Sequence, residues 1–363
     1  MEISDVKVHI LKSRRFVTHR NQKITSSQGL VRVFTDEGIE GDAMVDSVTA
    51  FAFARLFVDN KEELIGFDPL DREKIEKRFS GWPYSWRPVH NSVLCALDIC
   101  LWDIAGKALN LPIYKLIGGC RDKILAYAST QHYAREEDFF IDIVRKCVDG
   151  GYKAIKIHPY QDWEKDIELC RVVRKEVGDE ITLMLDPVGV YNRYQALKVG
   201  REIEKLDFYW YEDPMPTTDI EGLTELCASL DIEVLIGEYI SNLGDYGRYI
   251  EKHATDALRC VAEKVGGITP MLKIAHLAEA YGMKCEPHSW GNMTQQAAHL
   301  HVMLAIENCD FFELPVPEGV FDLGFLDSIR IDDEGYVHAP KKPGLGYEID
   351  WETIEKETVK VLD

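Results

Sequence analysis

Three acidic residues recur at one beat along the chain: Asp186 in Leu-Met-Leu-Asp, Glu212 in Tyr-Trp-Tyr-Glu-Asp-Pro and Glu238 in Val-Leu-Ile-Gly-Glu, each 26 residues after the one before. That interval suits one strand, one return helix and their loops. Each acid follows a short apolar run rich in strand formers and precedes a loop, so a closed parallel barrel would aim all three into the same mouth. Converging carboxylates repel one another and take up protons unless a cation holds them ionised. Mg²⁺, which prefers oxygen ligands, is the cofactor this pattern predicts.

A chain of 363 residues with 46% apolar composition can build one large barrel or two domains around a sizeable core. Its 62 acidic residues against 42 basic ones give a formal charge of −20, and no Lys/Arg-rich run interrupts them. Nucleic acid and anionic membrane surfaces are therefore not expected partners. An anionic substrate would have to be drawn in by a metal and by local cations. The opening Met1 to Ile10 reads as a strand without the apolar core of a signal peptide, and no apolar run reaches membrane-spanning length, which predicts a cytoplasmic protein. The nine cysteines, among them Cys95, Cys100, Cys147 and Cys285, show no CxxC spacing. They read as reduced core thiols, not as a zinc site or a nucleophile.

The first ~120 residues differ from the rest. Strands at Val6 to Leu11 and Gly29 to Phe34, the turn signal Asp36-Glu37-Gly38 and a long helix from Asn91 to Leu109 suggest an α+β cap, with Gly118-Gly119 marking its end. Strand candidates then alternate with amphipathic helices: Leu125 to Thr130, Tyr152 to His158, Ile181 to Asp186, Phe208 to Glu212, Glu233 to Glu238, Leu258 to Glu263, Met283 to His288 and Phe311 to Val316. Helices such as Trp163 to Val177 and Ile268 to Tyr281 are long enough to cross back over a parallel sheet. Functional-looking residues fall at nearly every strand end, which favours a barrel over a doubly wound sheet with one switch point. An eighth helix is missing, and a short amphipathic tail with Trp351 and Ile354 is expected to return to the cap. The predicted fold is a modified TIM-type (β/α)7β barrel under an N-terminal α+β capping domain completed by the C-terminal segment, with units at 1–122, 123–322 and 323–363.

The motifs fall in a telling order: Ala96-Leu97-Asp98-Ile99-Cys100-Leu101-Trp102-Asp103-Ile104-Ala105-Gly106-Lys107, Leu185-Asp186, Tyr211-Glu212-Asp213-Pro214, Gly237-Glu238, Val265-Gly266-Gly267-Ile268-Thr269, Pro287-His288-Ser289 and Pro343-Gly344-Leu345-Gly346. Taken together the chain resembles the enolase superfamily, in the branch of mandelate racemase and muconate lactonizing enzyme. The resemblance implies a cap over a seven-helix, eight-strand barrel and Mg²⁺ held by Asp186, Glu212 and Glu238. Lys156 and His158 share one strand face, two residues apart. Relatives often carry Lys-x-Lys there, so by resemblance His158 is the base and Lys156 its assistant. A histidine suits that task, since it titrates near neutrality without the large shift a lysine needs. His288 occupies the seventh-strand position where relatives pair a His with a sixth-strand Asp. Here Val261 replaces that Asp, and Glu263 is the nearest acid, expected on the same strand and face. Glu313 matches a carboxylate that hydrogen-bonds the substrate when protonated, and Val188 stands where relatives commonly have Asn.

Removing the proton beside a carboxylate creates a second negative charge, and a positioned base alone supplies only about 10²–10⁴-fold. A metal gripping the carboxylate adds several kcal/mol, roughly, where that charge appears. The expected activity is Mg²⁺-dependent α-proton abstraction from a hydroxy-carboxylate of the aldonic or aldaric type, followed by loss of water, in a homo-oligomer. In this reading His288 protonates the departing hydroxyl. A racemase, epimerase or lactone cycloisomerase is the alternative within enzymes, and a non-catalytic sugar-acid-binding protein is the alternative outside them. The cap loop from Ser13 to Ser27 carries Arg14, Arg15, His19, Arg20 and Lys23; Arg14, His19 and Arg20, with Trp290, are candidate substrate contacts. Asp98 and Asp103 read as hydrogen-bonding groups between domains, and His299 and His301 as structural.

Overall fold

The structure is a computed structural model that describes residues 1–17, 23–80, 89–131, 137–319 and 321–363. Alternation of apolar and polar residues in β1 (Ile3–Leu11) buries Val6, Val8 and Ile10 on one face of an antiparallel cap sheet. Its neighbours are β4 (Gln28–Thr35) and β5 (Glu40–Asp46). Between β1 and β4, β2 (Arg14–Val17) pairs with β3 (Lys23–Ser26), so the segment expected as a plain loop is a two-stranded ribbon. Helices α1 (Ser47–Phe53) and α2 (Arg72–Ser80) lead to α3 (Asn91–Leu109), which starts and stops where the sequence periodicity places it. Asn110, left-handed at φ 53°, ends it.

Helix α3 is buried over most of its length because it is the joint between cap and barrel. Asp98 accepts hydrogen bonds from Thr269 N (3.0 Å) and Thr269 Oγ1 (2.5 Å), and Asp103 accepts one from Leu345 N (2.8 Å). A Cβ on Gly267, whose φ is 122°, would lie 2.3 Å from the Asp98 carboxylate, so glycine is required there. Both aspartates thus join units, as their place inside a periodic helix suggested.

After α4 (Ile113–Ile117) the barrel strands follow: β6 (Lys123–Ser129), β7 (Ala154–Ile157), β8 (Thr182–Leu185), β9 (Phe208–Glu212), β10 (Glu233–Ile236), β11 (Ala257–Leu258), β12 (Lys284–Cys285) and β13 (Phe311–Pro315). Seven crossovers connect them, carrying α5 (Glu137–Asp149), α6 (Trp163–Val177), α7 (Arg193–Lys205), α8 (Ile220–Cys227), α9 (Leu243–Glu251), the pair α10 (Ala262–Val265) and α11 (Ile268–Ala280), and α12 (Met293–Met303). All strand pairings are parallel, in the order β12-β11-β10-β9-β8-β7-β6-β13. In place of an eighth helix, β14 (Tyr336–His338) lies antiparallel on β6. The chain then passes through α13 (Trp351–Glu357) to β15 (Thr358–Leu362), which pairs with β1 and places Leu362 opposite Val8. The tail does complete the cap sheet.

The sixth and seventh strands are shorter than their apolar runs suggested. Residues 262–265 are helical, so Glu263 is on α10 and not on the strand face expected for it; there it accepts from Gln295 Nε2 (3.2 Å). Side chains close the seam between β12 and β13: Glu286 accepts from Asp310 N (2.8 Å), and Ser289 N donates to Glu313 (3.1 Å). Inside the barrel, Ala154, Trp210, Ala257 and Phe311 come from alternate strands and pack with Tyr127, Met184 and Leu235 from the strands between. Two residues further along the same four strands lie Lys156, Glu212, Arg259 and Glu313. The layer facing the mouth is therefore ionic where barrels ordinarily stack branched apolar residues. Among the described residues no helix is long and apolar enough to cross a membrane.

Candidate active site

Asp186, Glu212 and Glu238 follow or end β8, β9 and β10, and each offers one carboxylate oxygen within 4.8 Å of the other two. The equal spacing in sequence thus becomes convergence in space. Gly237 permits it: at φ 141°, a Cβ there would sit 2.0 Å from the Arg259 carbonyl oxygen. Asp186 is further fixed by Val188 N, which donates to its Oδ1 at 2.8 Å, with Val188 itself left-handed at φ 60°.

Lys156 Nζ lies 3.0 Å from both oxygens of Glu212, 2.8 Å from Glu313 Oε1 and 3.4 Å from Asp186 Oδ2. Burial alone would lower its pKa, and Arg259 adds to that, but Glu212 and Glu313 outweigh both and hold it well above the ordinary value. It is an ammonium ion with all its protons directed at carboxylates. Arg259, fully buried, places Nε 2.7 Å from Glu212 Oε1 and its Nη2 in a hydrogen bond with Glu313 Oε2. Nη2 also lies 3.2 Å from Tyr127 Oη, and Nη1 donates to the Glu286 carbonyl at 3.2 Å. Sequence reasoning missed Arg259; its signal was a guanidinium two residues before Val261, at an inward position of an apolar strand.

His158 stands at the end of β7 with Nε2 3.0 Å from Asp186 Oδ2. Its Nδ1 is hydrogen-bonded with the Thr130 carbonyl, which keeps a proton on Nδ1 and turns Nε2 toward the Asp186 carboxylate. Trp290 packs edge-on against that imidazole, centroids 5.9 Å apart, and Phe321 against Trp290 at 6.0 Å. Trp290 is therefore an aromatic wall of the site. His288 Nε2 is 3.9 Å from Glu313 Oε2, while Nδ1 has no hydrogen-bond partner among the described residues. Burial first, then Arg259 and Lys156, hold its pKa well below the ordinary value, so the ring is neutral. Val261 caps α10 and leaves the histidine without the missing acid.

Glu313 accepts from Ser129 Oγ (2.8 Å) and Ser289 N (3.1 Å) besides its two cations. Burial would raise its pKa, but Arg259 and Lys156 hold it well below the usual carboxylate range. The expectation of a protonated Glu313 that donates to substrate is corrected by this pairing. Of the cap-loop candidates, Arg14 lies in β2, and His19 and Arg20 lie outside the described residues. His299 and His301 are structural: His299 takes a hydrogen bond from Ala262 N (3.0 Å), and His301 one from Tyr114 N (3.1 Å). Burial pushes each down to about 4.

The donor set fits a hard divalent cation. Burial, then the charge of Asp186, pushes the Glu238 carboxyl up, and burial also pushes Glu212 up against the pull of its cations. Four ionisable acids, Asp186, Glu212, Glu238 and Glu313, face three cations, Lys156, Arg259 and, 3.7 Å from Glu238, Lys264, which leaves an excess of negative charge. Oxygen-only ligation of that charge is the preference of Mg²⁺.

A capped parallel barrel with a carboxylate triad beside a strand-end histidine sets the chain among enzymes of the lyase and isomerase kind. The chain belongs to the mandelate racemase/muconate lactonizing enzyme family: residues 5–118 match its N-terminal domain and residues 140–353 the enolase C-terminal domain-like family. It is 31% identical to arabinonate dehydratase of Saccharolobus solfataricus over 81% of this chain and 78% of that one. It is 28% identical to N-succinyl-L-Arg/Lys racemase of Bacillus cereus over 91% of this chain and 90% of that one. The crystal structure of D-glucarate dehydratase from Agrobacterium tumefaciens complexed with magnesium superposes with a TM-score of 0.88 at 34% identity, covering 99% of this chain and 100% of that one.

Proposed function

We propose that the chain is a Mg²⁺-dependent dehydratase of a sugar acid, aldonic or aldaric, that removes the proton beside the carboxylate and then expels the neighbouring hydroxyl. The observation that carries this reading is the juxtaposition of a buried carboxylate triad with the Nε2 of His158. Dehydratases among the relatives, including one complexed with magnesium, support it.

Asp186, Glu212 and Glu238 would hold the ion, which when bound supplies positive charge to the substrate carboxylate as its α-carbon loses a proton. His158 Nε2 takes that proton. The Lys156 ammonium keeps a fixed positive charge at the same place, where a water-excluded setting makes it count for more than in solvent. Electrons from the broken Cα–H bond form the Cα–Cβ double bond, and the Cβ–O bond breaks. His158, now an imidazolium, returns its proton to the leaving oxygen, which departs as water. His288 was expected to give that proton, but burial holds its ring neutral, and its proposed part is to offer the substrate a hydrogen bond. The enol product tautomerises to a 2-keto-3-deoxy acid. Trp290 and the cap ribbon are proposed to bound the substrate, and the oligomer and cytoplasmic setting remain part of the proposal.

The test is a panel of aldonic and aldaric acids in deuterated buffer with Mg²⁺, followed for α-deuterium exchange and for keto product. Keto product with at least one member supports dehydration. Exchange with inversion and no loss of water replaces it with epimerisation, a reading that the racemase relative also supports.

A further inference from the structure

Lys156, Glu212, Arg259 and Glu313 close a ring in which each cation touches both acids: Lys156 meets Glu212 at 3.0 Å and Glu313 at 2.8 Å, and Arg259 meets Glu212 at 2.7 Å and Glu313 through Nη2. The four come from the second, fourth, sixth and eighth barrel strands, so the ring is the uppermost packed layer of the barrel. All four side chains are essentially inaccessible to solvent. Removing one charge from such a set leaves its partners unpaired in a low dielectric, which is why the ring holds its members in fixed places.

Glu212 belongs to both the ring and the metal-spaced triad. A carboxylate can rotate about its last bond, and a metal ligand must not. Arg259 opposes that rotation from one side through an ion pair, its Nε 2.7 Å from Glu212 Oε1 without a hydrogen bond, while its planar guanidinium is anchored by Tyr127 Oη, by the Glu286 carbonyl and by Glu313. We infer that Arg259 is a positioning residue: it fixes the Glu212 carboxylate as a ligand for the divalent ion and ties it to Glu313, and through Glu313 to His288. The role is geometric. A compact lysine ammonium at this place keeps the charge but cannot reach both acids and the tyrosine at once.

The inference rests on the metal reading above, and the test separates the two. Mg²⁺ binding to wild type, Arg259→Lys and Tyr127→Phe is measured by titration calorimetry without substrate, beside the thermal midpoint of each apoprotein. Arg259→Lys is expected to weaken Mg²⁺ affinity by roughly tenfold or more, the usual effect of losing an outer-shell partner. Tyr127→Phe, which removes one anchor of the guanidinium and no charge, should weaken it roughly threefold. Unchanged affinity in folded Arg259→Lys, even with a lowered midpoint, overturns the inference and leaves the metal reading intact. If that variant does not fold, Tyr127→Phe decides alone: weaker binding supports the inference and equal binding overturns it. A wild type that takes up no Mg²⁺ overturns both.

Discussion

His158 is the residue on which the proposed chemistry turns, and its surroundings set what its loss should do. The Thr130 carbonyl orients the ring and Trp290 covers one edge, so an asparagine fits the space but offers no basic nitrogen. His158→Asn should reduce α-proton exchange by roughly 10²–10⁴-fold, the contribution of a positioned base. Mg²⁺ binding by calorimetry should persist. Retained exchange would move the base to another group. Lys156 is a poor candidate for that, since its protons are bound to Glu212, Glu313 and Asp186. A second residue-scale consequence concerns Val188, a β-branched side chain held at φ 60° beside a metal-spaced acid. Such a conformation costs about 1–3 kcal/mol, and asparagine tolerates it better. Val188→Asn should therefore raise unfolding free energy by about 1 kcal/mol in urea titrations, with the Val188 N–H to Asp186 bond preserved because it is made by the backbone. No gain would mean that the surrounding loop has absorbed the strain.

At the scale of elements, the seam between β12 and β13 depends on Glu286, whose oxygens accept from Asp310 N (2.8 Å) and Phe311 N (3.3 Å). Burial first, then Asp310, pushes its carboxyl up to about 7 against the pull of those backbone bonds. A carboxyl with a folded pKa above its unfolded value near 4.3 favours the folded state while protonated. The unfolded chain gives up that proton first as pH rises, so this part of stability is complete below about 4 and lost by about 7. Asp98 and Asp42, each pushed up to about 6 by burial, act in the same direction. His288, His299 and His301, held down by burial, gain stability over the same window, so the comparison is the informative quantity: between pH 5 and pH 7.5 the thermal midpoint of Glu286→Gln should lose less, or gain more, than that of the wild type. An equal slope in the variant would remove Glu286 from this account. Element boundaries show where periodicity was legible. The runs Asn91–Leu109, Trp163–Val177 and Phe208–Glu212 match to the residue, because apolar spacing and burial agree along them. The apolar runs ending at Glu263 and His288 outlast their strands, since hydrophobic residues serve equally in a loop packed under the mouth. The ribbon at β2 and β3 was missed because its many charges read as a solvated loop.

For the whole molecule, the charge remaining in the site predicts a stability response to metal. An ion that binds only the folded state adds about 1.4 kcal/mol for each tenfold excess over its dissociation constant, so Mg²⁺ should raise the thermal midpoint progressively and a chelator should reverse the gain. A midpoint indifferent to Mg²⁺ up to millimolar concentration would count against the triad as a metal site. The triad was legible because repetition in sequence maps directly onto repetition around a barrel. Arg259 was not, because its meaning lies in partners 47 and 54 residues away, on strands the chain reaches only after turning through the barrel. The state of Glu313 was misread for the same reason: a carboxylate looks available until its counterions are known.

Glu313 has one further consequence. Its carboxylate receives Ser289 N and its backbone carbonyl receives Ser289 Oγ, so the residue that anchors two buried cations is also the clasp holding the last strand to its neighbour. Variation at this position cannot tune reactivity without loosening the cylinder, which makes the loops above the rim, and not the floor beneath them, the place where a new substrate preference can arise at little structural risk.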